Sequence, residues 1–116
     1  MNAQKLEQVQ KVFANDRFAT ENGVVIDEVD DGYAKCSLEI QPHHLNAGGT
    51  VMGGAIFTLA DFAFAVARKV KEGRSTCYYL VDVSDDLGNP VAHVTASGFV
   101  KSGTRLVQDM PTAEKG

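Results

Sequence analysis

His44-Leu45-Asn46, Gly49 and Gly53-Gly54, followed by Ala55-Ile56-Phe57-Thr58-Leu59-Ala60-Asp61-Phe62-Ala63-Phe64-Ala65-Val66-Ala67, form the stretch on which the fold of this chain turns. Residues 55–67 are apolar except for Thr58 and a single acid, Asp61. The run is too short to span a bilayer and reads as a buried core helix. A carboxylate inside it is costly unless it is paired or does chemistry, because burial disfavours its charged form. Gly53 and Gly54 stand just before the run, where a helix leaves backbone N–H groups without intrahelical partners. Such an N-terminus is a ready cradle for a developing oxyanion. An acid and oxyanion donors on one element point to acyl transfer.

The flanks on the N-terminal side are regular. Leu6, Val9, Val12 and Phe13 fall on one face of a short amphipathic helix over residues 3–15. Residues 23–29 and 33–40 read as two strands around the Asp30-Asp31-Gly32 turn. In the second strand Ala34, Cys36, Leu38 and Ile40 alternate with Lys35, Ser37 and Glu39, which gives one buried and one wet face. Pro42 ends that strand and opens a loop through His43 to Met52, and the apolar helix begins near Gly53 or Gly54.

Beyond Ala67 the chain turns basic. Arg68-Lys69-Val70-Lys71-Glu72-Gly73-Arg74 fits either the solvated end of the helix, stopped at Gly73, or the last residues of a strand turning at Glu72-Gly73. Residues 75–83 read as a strand, Asp85-Asp86-Leu87-Gly88-Asn89 as a turn, and residues 90–101 as another strand. The organisation expected is a single domain over residues 1–101 and a polar tail over residues 102–116. The fold class is α+β, an antiparallel sheet wrapped around one long central helix, since a helix apolar on all sides needs such a cover.

Composition sets the outer limits. A chain of 116 residues has room for one core, and a net charge of −4 with a pI near 5.2 argues against nucleic acid as the main partner. No charged-then-apolar leader precedes the first helix and no segment is long enough to cross a membrane, so the cytoplasm is the expected location. Cys36 and Cys77 lack ligand spacing and read as two free, partly buried thiols. His43, His44 and His93 have no ligand-like neighbours, and no metal site is expected. The stretch from Gly48 to Gly54 lacks the Lys-Ser/Thr of a phosphate-binding loop.

His44-Leu45-Asn46, Gly49, Gly53-Gly54 and Leu59-Ala60-Asp61 together resemble the signature of hotdog-fold thioesterases of the PaaI-like (phenylacetic acid degradation) type. The resemblance runs from Met1 to about Ala67 and resumes from Arg74 to Lys101, with Asp82, Asp85, Gly88 and Gly98 placed as in that family's closing strands. It implies a hotdog fold, homodimers that often pair into homotetramers, and hydrolysis of acyl-CoA thioesters without a metal or other cofactor. Two departures stand out. The family usually has His-Gly-Gly where this chain has Met52-Gly53-Gly54, and methionine cannot relay a proton. Between Ala67 and Arg68 the family normally continues with a loop, a strand and most of another, so part of the usual sheet is missing here. That deletion predicts uncovered apolar surface on the helix and an open sheet edge.

On this reading Asp61 is a general base or nucleophile, the Gly53 amide an oxyanion donor, and Asn46 a group that positions water or substrate. Gly54, Met52, Thr58 and Arg74 are the expected substrate contacts. Each has a structural alternative: Asn46 capping its own turn, Thr58 bonding its own helix backbone, Arg74 simply solvated. Gly53 and Asp61 are eight residues apart, about 12 Å along a helix rising ~1.5 Å per residue. One carbonyl cannot readily be served by both from a single helix, whereas two antiparallel helices across a two-fold axis bring Gly53 of one copy to Asp61 of the other. The expected partners are an acyl-CoA substrate and a second copy of the chain. The competing readings are a non-catalytic acyl-CoA binder or scaffold, and an internally deleted, inactive form. Phe57, Phe62 and Phe64 read as core, with an acyl-chain pocket as their other use.

Overall fold

The computed structural model describes residues 3–71 and 78–97. In order they form α1 (Ala3–Phe13), α2 (Arg17–Glu21), β1 (Val24–Asp30), β2 (Tyr33–Leu38), a 3-10 turn (Pro42–His44), α3 (Gly53–Lys69), β3 (Tyr78–Ser84) and β4 (Pro90–Ser97). Residues 102–116, read from sequence as a tail, lie outside the described residues, as does Cys77.

The N-terminal helix stops at Phe13, and a second short helix that the sequence pattern does not predict, α2, starts four residues later at Arg17. Asp16 caps it by accepting a bond from the Ala19 N–H at 3.3 Å. The hairpin β1–β2 turns at Gly32, whose φ of +65° lies in the left-handed region that glycine enters without penalty. Val24 and Ile26 point inward, a register shift follows between Ile26 and Glu28, and Val29 then takes the buried position. The bulge inserts one residue, so the inward parity changes along the strand. Across the hairpin Ala34, Cys36 and Leu38 alternate inward as the sequence predicts, while Ile40 lies beyond the strand and is exposed.

The helix α3 begins at Gly53 and runs through Arg68 and Lys69, so the basic segment continues the helix as far as Lys69, with Val70 as its cap. Basic residues in the last turn suit the negative end of the helix dipole. Phe62, Val66 and Val70 on one face pack with Val9, Ala19, Val24, Ile26 and Val29 into the core. Val66 is fully buried. Phe62 meets Phe13 edge-to-face at 5.4 Å between ring centroids, which ties α3 to α1.

The second hairpin, β3–β4, is held by a tight turn. Asp85 accepts from the Leu87 and Asn89 N–H groups at 3.0 and 2.8 Å, and Gly88 sits at φ +85°. These bonds hold the Asp85 carboxyl below its usual range, with the Asn89 backbone contribution foremost. Phe64 and Tyr79 meet edge-to-face at 5.4 Å and attach the hairpin to α3.

The sheet departs from the continuous wrapper expected from sequence. The described strands form two separate two-stranded sheets, β1–β2 and β3–β4, both antiparallel. The edges of β2 and β3 that face one another have no strand between them among the described residues. Two short sheets with such a gap between them are consistent with a partial hotdog sheet.

Cys36 faces the helix from β2, and its thiol is pushed up to about 12, first by burial and then by the Asp27 carboxylate. The folded state therefore holds the proton more tightly than the unfolded chain. That contribution is complete below about pH 9 and is lost as pH rises toward about 12. In a Cys77→Ser background, iodoacetamide at pH 8 should alkylate Cys36 at least about 100-fold more slowly in buffer than in urea. Equal rates would show that the thiol is not shielded.

Candidate active site

The loop from His44 to Met52 delivers the N-terminus of α3, and His44 anchors it. Its ring is buried, at 3% exposure. Nδ1 accepts from the Gln41 N–H at 2.9 Å, so the proton resides on Nε2, which donates to the Asn22 carbonyl at 2.8 Å. Both nitrogens are used structurally, linking the loop to the end of α2. The His44 carbonyl in turn accepts from the Met52 N–H at 2.7 Å, and Leu45 bridges to Val51.

Asn46 lies inside this loop and folds on itself. Its Oδ1 accepts from the Gly48 and Thr50 N–H groups at 2.9 and 3.2 Å, and its amide donates to the Thr50 hydroxyl at 2.9 Å. Within one chain Asn46 therefore acts as a turn former, the alternative raised by its residue type. Gly49 closes the turn at φ +81°.

Gly53 is the first residue of α3, and Met52 is its cap without any side-chain capping bond. The Gly53 and Gly54 N–H groups have no acceptor among the described residues, whereas the Ala55 and Ile56 N–H groups return to the Met52 carbonyl. A side chain at Gly53 would meet nothing within 4 Å. The cradle thus presents free donors to open space, as an oxyanion site requires.

Asp61 corrects one expectation. It is exposed, not buried, and its carboxylate has no hydrogen-bond or ion-pair partner among the described residues. The reason is the 3.6-residue period: Gly54, Phe57 and Asp61 share one stripe of α3, and the stripe opposite carries Phe62 and Val66 into the core. Neither hairpin reaches the Asp61 stripe. Phe57, expected in the core, is 61% exposed for the same reason, and Met52 stands out beside it. Thr58 donates to the Gly54 carbonyl at 2.7 Å, the helix-backbone alternative, and does not touch Asp61. Arg74 lies outside the described residues.

The sequence reading left His93 without a partner. The structure pairs it: β3 and β4 are in register with Asp82 opposite His93, and Nδ1 lies 2.6 Å from the Asp82 carboxylate. Folding the two strands about the Asp85–Asn89 turn is the signal that finds this pair from sequence. Both side chains are largely exposed, so the contact serves register more than stability. Among the described residues no group of three or more His, Cys, Asp or Glu is placed to hold a metal ion. No helix there is long and apolar enough to cross a membrane.

Comparison with known proteins follows the same line. No family model matches the chain. Over 69 residues it is 39% identical to an Archaeoglobus fulgidus protein named as a candidate esterase, covering 56% of this chain and 45% of that one. Over 67 residues it is 31% identical to the acyl-coenzyme A thioesterase PaaI of Escherichia coli K12, covering 58% of this chain and 48% of that one. The chain spans about half the length of these curated relatives. The solved structure of the E. coli PaaI protein from the phenylacetic acid degradation operon superposes with a TM-score of 0.62 at 21% identity, covering 80% of this chain and 93% of that one. The helix and antiparallel hairpins are thus the hotdog fold in partial form, and the chain is similar in sequence and in fold to the PaaI-like hotdog thioesterases.

Proposed function

We propose that the chain hydrolyses acyl-CoA thioesters to free acid and CoA, in the cytoplasm, at a site completed when two copies lay their α3 helices together antiparallel. The observation that carries this reading is the exposed stripe of α3. It holds Gly53 and Gly54 amides at one end and Asp61 further along, none with a partner among the described residues, and an apolar Phe57 between them. An uncovered stripe of this composition suits a self-complementary contact about a two-fold axis. Pairing two such stripes removes Phe57 from water and brings Gly53 of one copy toward Asp61 of the other.

The chemistry then follows from charge. The Gly53 N–H, with Gly54 beside it, receives the thioester carbonyl oxygen as it becomes an oxyanion. With Asp61 as general base, its carboxylate takes a proton from water and the hydroxide adds to the carbonyl carbon. Collapse then breaks the C–S bond, and Asp61 returns the proton to the departing CoA sulfur. With Asp61 as nucleophile, the carboxylate itself adds, expels CoA thiolate and forms an acyl anhydride that water hydrolyses. Covering the stripe also desolvates Asp61, which strengthens it in either role. Asn46, Met52, Thr58 and Arg74 would flank the substrate, with Asn46 exchanging part of its turn bonding for it.

One observation favours a second reading, an acyl-CoA binder without turnover: Asn46 is fully engaged in its own turn, and Met52 offers no proton. Release of CoA thiol from a panel of acyl-CoAs separates the two. Turnover supports the hydrolase. Ligand-induced stabilisation of the chain with no thiol released would establish the binder.

A further inference from the structure

The edges of β2 and β3 enclose an open groove of about 1150 Å³ whose floor is α3. Neither Asp61, Gly53 nor Asn46 lines it. Ala34 and Cys36 of β2, Ala63 and Phe64 of α3, and Val81 and Val83 of β3 help give it an apolar interior. Each bounding strand is bonded to a hairpin partner on its far side only, so both groove-facing edges carry backbone N–H and C=O groups without a strand to meet them among the described residues. Unpaired edges of this kind recruit a further strand.

The occupant is constrained by geometry. A strand placed about 4.8 Å from its neighbour bonds through one edge, and filling the groove requires bonding on both edges at once. Every described strand of this chain already spends one edge on its hairpin partner, so a folded second copy cannot satisfy both sides. A lone extended segment can. Its alternate side chains would drop onto a floor where Ala60, Ala63 and Ala67 leave recesses beside Leu59 and Phe64, which suit apolar groups. Charge selects the rest. Among the described residues Glu39, Asp82, Asp85 and Asp86 line the groove with one lysine, Lys35, which lies 3.8 Å from Glu28. Asp82 meets His93 and Asp85 its own turn, so Glu39 and Asp86 carry the acidic character.

From these edges, this floor and this charge balance we propose that the groove binds an extended segment of another polypeptide, alternating bulky apolar with basic residues, by strand addition between β2 and β3. The interaction is separate from acyl-CoA hydrolysis and does not need Asp61.

The test uses the full chain and fluorescently labelled peptides of about seven residues, the length of β3, one alternating Val with Lys and a control alternating Val with Glu. The expected result is saturable anisotropy with the basic peptide, weakening as salt rises, and at least about tenfold weaker binding of the acidic one. Amide exchange should slow along β2 and β3 on binding. Glu39→Gln with Asp86→Asn should weaken the basic peptide several-fold, Ala63→Phe should abolish binding by filling the floor, and Asp61→Asn should leave it unchanged. Circular dichroism checks that each variant folds. The proposal is overturned by no saturable binding, by equal affinity for both peptides, or by a folded Ala63→Phe variant that binds like the original. It is equally overturned if both groove-facing edges are already protected in the free protein.

Discussion

Replacing Asp61 by Asn should cut acyl-CoA turnover by about 100- to 10,000-fold while leaving the fold intact. The lower figure is the ordinary contribution of a positioned general base, and the upper is the range's far end. The substitution keeps size and shape but removes the charge that accepts the proton or attacks the carbonyl. It is exposed and has no partner among the described residues, so none of these depends on that carboxylate. Melting temperature should therefore stay within the small change typical of surface substitutions. Binding of CoA or a non-hydrolysable acyl-CoA analogue, read as a rise in melting temperature, should persist. Thiol release at the original rate in the Asp61→Asn chain would remove Asp61 from the mechanism.

The second large effect concerns stability. Phe62→Ala should destabilise the chain by about 3–5 kcal/mol, the usual result of emptying a buried phenylalanine site. The ring is 3% exposed and joins α3 to α1 through Phe13. Against a total of about 5–15 kcal/mol for a domain of ordinary stability, that loss is a large fraction. At about 4–8 °C per kcal/mol in a small domain, the melting temperature should drop by more than about 10 °C. Phe57→Ala, on the opposite stripe, should leave the melt of dilute single chains nearly unchanged and weaken self-association instead. A Phe62→Ala chain that melts like the original would mean that the core does not run through this residue.

The first hairpin was legible because Asp31-Gly32 supplies the turn and β2 alternates cleanly. The start of α3 was legible because Gly53-Gly54 and the apolar run agree on it. The bulge after Ile26 was not, since an inserted residue leaves no mark on composition and shows only as a change of inward parity. Nor was α2, a five-residue helix whose stability comes from the Asp16 cap and packing of Ala19.

For the candidate site, the sequence singles out residues but not their surroundings. An apolar run with one acid reads as a buried acid, yet exposure depends on which stripe the sheet covers. Both described hairpins pack on other faces of α3, so the Asp61 and Phe57 stripe stays open. His44 belongs to the motif, but its two ring bonds to Gln41 and Asn22 make it an anchor, and the Asn22 contact spans 22 residues of sequence. Local pattern carries no information about such a distant partner.

The claim that one site is built from two copies is tested most directly by mixing two inactive chains, Asp61→Asn and Gly53→Pro. Proline at the first helical position keeps the helix start and removes the N–H. Apart, each variant should be nearly inactive. Co-refolded at equal amounts, half of the dimers are mixed and each contains one intact site, so thiol release should return to about a quarter of the original rate. A mixture no more active than its separate components would contradict a site shared between Asp61 of one copy and Gly53 of the other.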